Sequence, residues 1–232
     1  MVEPLRPRQL TLDVAPTLPP TFDNFVVGHN GPLLAALHDA VVGQHHVYLW
    51  GAPSSGRSHL LQATAHAAQQ SSRPACYLPA TAICAEAVIP ALALLAADDI
   101  HTLDDDAQDA LFHLFNRSRG EGLTLVLAGN AAPRQLALHE DLRTRVGQSV
   151  CLEIQNPDDD TRRALLAALA ARRGIALSDE AIVYLLQRAR RDVASLVALV
   201  ASIDEHSLSA HRAVTLPLLR EALAQPAAPL PD

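Results

Sequence analysis

Apolar and polar positions follow two different rhythms along this chain, and the change falls near residue 156. From residue 22 to about 155, short apolar runs bounded by turn residues alternate with longer stretches in which apolar residues recur three and four positions apart. The runs predict strands at His46–Trp50, Ala75–Leu78, Ala91–Ala97, Leu123–Gly129 and Ser149–Ile154. The stretches between them predict helices over Leu33–Val42, Ser58–Gln70 and Asp106–Arg117. Strands that alternate with helices imply an α/β domain with a parallel sheet covered on both faces. From Asn156 only the helical rhythm remains. Asp158, Asp159 and Asp160 load the start of a helix that runs to about Arg173, where Gly174 suits the C-terminal cap. Ser178 opens a second helix, Asp192 caps a third through Ile203, and Pro217 fits the first turn of a short last one.

The expected organisation is therefore an α/β domain over 21–155 and a small all-helical domain over 156–225. A Pro-rich, polar tail precedes them (1–20), and a Pro/Ala-rich frayed tail follows (226–232). At 232 residues the chain is long enough for one sizeable core and a small second one. Aromatic residues make up only 3%, so that core must be built from Ala, Leu and Val. Every one of the 18 Lys+Arg residues is arginine, and the net charge of −7 argues against non-specific nucleic-acid binding. Cys76, Cys84 and Cys151 show no metal-ligand spacing; Cys76 and Cys151 lie in strand-like runs and read as small buried hydrophobes. This cysteine usage fits a reducing cytoplasm, and neither a secretory signal nor a membrane-spanning run is evident.

The segment Gly51-Ala52-Pro53-Ser54-Ser55-Gly56-Arg57-Ser58 has the form G-x-x-x-x-G-[K]-[ST], with arginine in the lysine position. It follows the apolar run Val47–Trp50 and opens a helix, the context that a phosphate-binding loop requires. Its glycines let backbone N–H groups converge on phosphates, and the helix N-terminus adds positive potential. Arg57 would reach the terminal phosphates and Ser58 would ligate Mg²⁺. The compositional bias towards arginine is a sufficient reason for Arg57 to be there, and its planar fork need not place charge on a transferring γ-phosphoryl group as lysine does. A second apolar run ends in Asp98 and Asp99, acids suited respectively to holding the metal and polarising a water. Because Asp104, Asp105 and Asp106 follow closely, the same pair also reads as an acidic loop. Asn130, after the fourth run, could reach a phosphate or serve as an ordinary turn residue. Arg143 and Arg145 precede the last run, where they read equally as an arginine finger for a neighbouring subunit or as a solvated basic turn.

Taken together, these motifs resemble the AAA+ ATPases, in which a nucleotide-binding α/β domain carries a helical lid. Thr21–Gly28 resembles the segment that flanks the adenine pocket of the replication initiator DnaA, which implies roles for Phe25, Val26 and Val27. Leu94–Ile100 resembles that group's second motif, and Pro133-Arg134-Gln135-Leu136 its post-sensor segment. Within the group the chain is most similar to the Hda family of DnaA-related regulators. Arg57-Ser58-His59-Leu60-Leu61 and Leu111–Arg117 carry that likeness, as does the lack of a helix-turn-helix segment after the lid.

The resemblance implies that Gln9, Leu10, Leu12 and Val14 form a peptide for the DNA polymerase sliding clamp, although Asp13 is unusual near its apolar end. It implies bound ADP or ATP with Mg²⁺, contact with DNA only through the clamp, and a nucleotide-dependent homo-oligomer. It further implies regulatory inactivation of DnaA, with Arg145 acting in trans on DnaA-bound ATP. The lid segment Arg191–Leu196 has alanine, Ala194, where the family carries an arginine; neighbouring Arg190 and Arg191 lie within about one helical turn of it. That departure predicts weak or absent intrinsic hydrolysis. The competing readings are a self-assembling DnaA-like or clamp-loader-like ATPase, and a DnaA paralogue that recruits another factor.

Overall fold

The computed structural model describes residues 19–43, 45–84, 88–190, 192–210 and 219. The elements of the first part are α1 (Gly31–Val41), β1 (Val47–Trp50), α2 (Arg57–Gln70), β2 (Ala75–Pro79), β3 (Leu94–Asp98), α3 (Asp105–Glu121), β4 (Thr124–Gly129), α4 (Glu140–Gly147) and β5 (Val150–Glu153). All strand pairs are parallel, in the order β2-β3-β4-β1-β5. The strands' residues therefore divide by parity between two cores. Tyr48, Leu95, Ala97, Leu125 and Leu127 face α3 and α4, packed with Leu111, Leu114, Leu142 and Val146. Val47, Leu49, Leu94, Ala96, Val126 and Ala128 face α1 and α2, packed with Leu37, Leu60 and Leu61. Such near-continuous apolar runs are what a parallel sheet buried on both faces demands.

The second part is α5 (Asp159–Arg172), α6 (Asp179–Arg188) and α7 (Val193–Ala210). Its starts are those expected from sequence. Asp158 accepts from the Thr161 N–H at 2.8 Å, Ser178 from Ala181, and Asp192 from Ser195. Gly174 takes φ +70°, so the chain can turn out of α5 while the Ile175 N–H reaches back to the Ala170 carbonyl at 2.9 Å. Leu166, Ile182, Leu185, Val200 and Ile203 form a separate small core that includes Leu219. The helix expected from Pro217 otherwise lies outside the described residues.

Three expectations need correction. The third strand begins at Leu94 rather than Ala91, because Ala91 and Leu92 form a turn in which Leu92 has φ +61° and gives its N–H to the Glu121 carbonyl. Asp141–Val146, which carries Arg143 and Arg145 and for which a basic turn was one of two readings, is the body of helix α4. Leu142 and Val146 lie one helical turn apart and both bury against the α3 side of the sheet. Cys76 and Cys151 are half-buried rather than fully buried, and burial still pushes both thiols up from their ordinary pKa.

The two edges of the sheet are built differently. At the N-terminal edge, Arg73 fans its guanidinium over neutral acceptors: the carbonyls of Ala40, Val41, Leu92 and Ala93 and the Thr124 hydroxyl, at 2.7–3.2 Å. His46 lies beside it at the start of β1. Its Nδ1 accepts the Leu125 N–H at 3.0 Å, and its Nε2 meets the Ser118 hydroxyl at 3.1 Å.

Burial first, and then the neighbouring His45, lowers the His46 pKa below its ordinary 6.5. The folded state therefore favours the neutral ring, and this contribution is whole above the unfolded pKa. It declines as pH falls below 6.5, where the unfolded chain takes up a proton that the folded one resists. Urea unfolding midpoints are expected to drop between pH 7.5 and 5.5, and His46→Gln should flatten that drop. An identical pH dependence in the variant would remove His46 from the account.

Candidate functional site

At the opposite edge, β1 runs into the loop Gly51–Ser58, and the loop's geometry selects its glycines. A Cβ on Gly51 would stand 2.7 Å from the Ser55 hydroxyl and 3.2 Å from Ile154 Cβ, too close to form without displacement. Gly56, just before α2, has φ +99°, and a Cβ there would meet the Phe25 ring at 3.0 Å. Pro53 and Ser54 are exposed at the bend, Ser54 with φ +62°. Within this turn the Ser55 hydroxyl and one Arg57 guanidinium nitrogen, Nη1, are buried without a hydrogen-bond partner among the described residues. Buried donors left unmet cost free energy unless a further group completes them, so the loop fits an anion with several oxygen acceptors.

The second motif lies two strands away from β1 in the sheet, with β4 between. Asp98 is 2% exposed, and both of its oxygens are engaged, one by the Tyr77 hydroxyl at 2.8 Å and one by the Asp99 N–H at 2.8 Å. Burial first, and then Asp98, raises the Tyr77 pKa, while a hydrogen bond with Ser58 acts in the opposite direction. Asp99 has a left-handed backbone, φ +51°, and turns towards the loop, where its Oδ1 lies 3.2 Å from Arg57 Nη2 and 3.9 Å from His101 Nδ1. Asn130 is exposed immediately after Gly129, which pairs with Trp50 of β1, so it joins the same edge.

A cavity of about 560 Å³ opens beside the loop, large enough for a nucleoside-sized ligand. Phe25 and Val26 line it, whereas Val27 is 42% exposed and lies outside the lining. The far wall belongs to the second domain: Val193, Val197 and Ala198 of α7. Asn30 and Gln155 complete it on the polar side.

These last residues were not singled out from sequence. Asn30 is buried, and its amide donates to the Gln155 carbonyl at 2.9 Å while accepting the Gln155 N–H at 2.8 Å. It thereby pins the start of α1 to the segment that leads out of β5. One residue earlier, His29 lies 2.9 Å from Asp158, the cap of α5. The only sequence hint was an Asn just ahead of a Gly-Pro helix start, which reads first as an ordinary cap.

Other expected site residues lie elsewhere. Arg145, on α4, has its guanidinium 6.0 Å from the centre of the Phe112 ring and donates at 3.4 Å to the Asn116 side-chain amide oxygen, Oδ1, both on α3. Arg143 reaches the Leu138 carbonyl at 3.4 Å. Neither arginine lines the cavity of its own chain. Ala194 lies in the first turn of α7, and Arg190 pairs with Asp192 at 3.3 Å. Arg191 and the Gln9, Leu10, Leu12 and Val14 peptide lie outside the described residues.

Residues 159–223 match the family model described as the Hda lid domain. Among solved structures, AMPPCP-bound DnaA from Aquifex aeolicus superposes with a TM-score of 0.71 at 23% identity, over 83% of this chain and 68% of that one. Domain III of DnaA from Thermotoga maritima gives 0.74 at 20% identity, over 88% of this chain and 95% of that one. A RuvB mutant from Thermotoga maritima gives 0.72 at 18%, over 88% and 72%. At these identities the structural likeness speaks to the fold alone, a parallel α/β part followed by a helical one. The lid match covers the helical part of the chain, and the DnaA-like structures cover the fold.

The hinge offers a direct check. The Asp158 carboxyl is held down at about 2, first by the Thr161 hydroxyl and N–H and then by His29. Its contribution to stability is whole above the ordinary carboxylate value and is lost as pH falls through about 2. Carboxyl chemical-shift titration is expected to show a larger rise for Thr161→Val than for His29→Ala. A full return to the ordinary value in His29→Ala alone would contradict this ordering.

Proposed function

We propose that this chain is an Hda-type, DnaA-related, nucleotide-controlled regulator that promotes hydrolysis of ATP held by DnaA while bound to the sliding clamp. The observation that carries the reading is the separation of two chemistries on one body. A loop with buried, unmet donors lies at one edge of the sheet, and Arg145 is displayed on α4 away from it. An arginine that does not serve its own site is free to serve a partner's.

Gly51, Gly56, Ser55 and Arg57 would hold the phosphates, Phe25 and Val26 the base, and Ser58 with Asp98 would hold Mg²⁺. The nucleotide in the Aquifex aeolicus DnaA structure supports this assignment by fold. Bound Mg²⁺ would neutralise phosphate charge there. ADP is the nucleotide that suits a regulator, since it occupies the loop without committing the site to turnover. Nucleotide in the cavity would contact both the loop and α7 of the lid, so occupancy would govern how the lid sits relative to the body. Nucleotide-dependent self-association is part of the same reading, with clamp-loaded DNA reached only through the clamp.

Phe112 and Asn116 would hold the Arg145 guanidinium ready to enter a composite site in which it stabilises charge on the transferring phosphoryl group. Arg145→Ala should lower stimulated hydrolysis of DnaA-bound ATP, in the presence of clamp and DNA, by on the order of a thousandfold, the scale of a lost arginine finger. Full stimulation by a normally folded Arg145→Ala protein would sink the assignment. Separately, Gln9→Ala combined with Leu12→Ala should abolish clamp binding measured by surface plasmon resonance. Retained binding would place the clamp contact elsewhere.

A further inference from the structure

The arginine of the loop and the second acid of the next motif are not independent groups. Arg57 is only 13% exposed, and Nη2 faces Asp99 Oδ1 at 3.2 Å; the same oxygen lies 3.9 Å from His101 Nδ1, while the Asp99 side chain as a whole is half-exposed. Three atoms of this cluster, Arg57 Nη1, Asp99 Oδ1 and His101 Nδ1, are buried with no hydrogen-bond partner among the described residues. One oxygen of Asp99 thus has two nitrogen groups nearby without an aligned hydrogen bond to either. Its left-handed backbone, costly for a residue other than glycine, turns it into this position.

We propose that Arg57 and His101 sequester Asp99, so that the carboxylate that would polarise an attacking water serves instead as a counterion, and the site holds nucleotide without turning it over. The proposal rests on nucleotide occupying the loop. A guanidinium can serve two anions at once: Nη2 keeps Asp99 while Nη1, unmet in the loop, takes a phosphate oxygen. A lysine ammonium is a compact charge that follows the more highly charged phosphate and would release the carboxylate. His101 follows Asp99 by two residues in a single 3₁₀ turn, so it stays beside the acid whatever the loop does. The arginine in place of lysine is therefore a positioning device, and His101 is its partner.

The test is steady-state ATP hydrolysis by the full chain alone, with binding of a fluorescent adenine nucleotide measured in parallel. Arg57→Lys combined with His101→Ala is expected to raise kcat by about a hundredfold, the lower end of what a positioned general base contributes, with KM little changed. His101→Ala alone, which leaves the loop intact, should give a smaller rise in the same direction. Adding Asp99→Asn to the double variant should remove the gain. Nucleotide binding without any rise in kcat in either variant overturns the sequestration and leaves the nucleotide-holding reading standing. A gain that survives Asp99→Asn overturns it as well, since another group would then be the base. A wild-type chain that binds no nucleotide overturns both.

Discussion

The pairing of β1 with β4 on one side and β5 on the other places every group at the site edge. A strand buried on both faces must satisfy its backbone N–H and C=O groups through its neighbours, so the register has no freedom to slip. Tyr48 shows how tight this constraint is. It is fully buried, and its hydroxyl donates to the Ala131 carbonyl just beyond β4, across a point where only Gly129 leaves room for the ring. Burial raises the Tyr48 pKa, which keeps the hydroxyl a donor throughout the ordinary pH range. This contact fixes where β4 ends and Asn130 begins, and it sets the height of the adjoining Gly51 loop.

The lid depends on that frame through a narrow connection. Asn30 locks to both backbone groups of Gln155, and His29 meets Asp158, so α5 leaves the sheet in a defined direction. The far wall of the cavity on α7 inherits that direction. Inside the lid, Arg162 is 3% exposed, pairs with Asp159 at 2.9 Å and donates to the Arg190 carbonyl at 3.3 Å. It thereby ties the start of α5 to the approach to α7. The wall that would face a bound base is thus two short polar links away from β5.

Periodicity carried the fold because the interior is made of repeated aliphatic residues with one meaning each. Leu125 and Leu127 on one face of β4, Val126 and Ala128 on the other, can only be a strand buried twice. The loop was legible because glycine at residues 51 and 56 answers a steric demand that no other residue meets. Contacts that join distant segments were not legible. Helix α4 is too short for its spacing of Leu142 and Val146 to stand out against an adjacent charged turn signal. Asn30 and Gln155 are separated by 125 positions, and amides advertise no partner in advance. His101 reads as a loop histidine until the fold brings Arg57 to the same oxygen of Asp99. Val27 lies outside the cavity lining for a related reason. An apolar residue beside two lining residues need not line the cavity, since the backbone turns at Gly28, with φ +46°.

The Arg73 clasp at the opposite edge is made entirely to carbonyl and hydroxyl oxygens, and among the described residues Arg73 forms no ion pair. Hydrogen bonds of this kind, partly buried, are little affected by dissolved ions, whereas exposed charge pairs weaken as the Debye length falls below about 8 Å, its value at physiological ionic strength. The molecule is therefore asymmetric in its response to its medium. Where His29 is protonated, salt would slacken its link to Asp158, which is exposed on both sides, while the base of the sheet keeps its shape. Ionic strength would act on the angle of the lid and leave the platform that carries it unchanged.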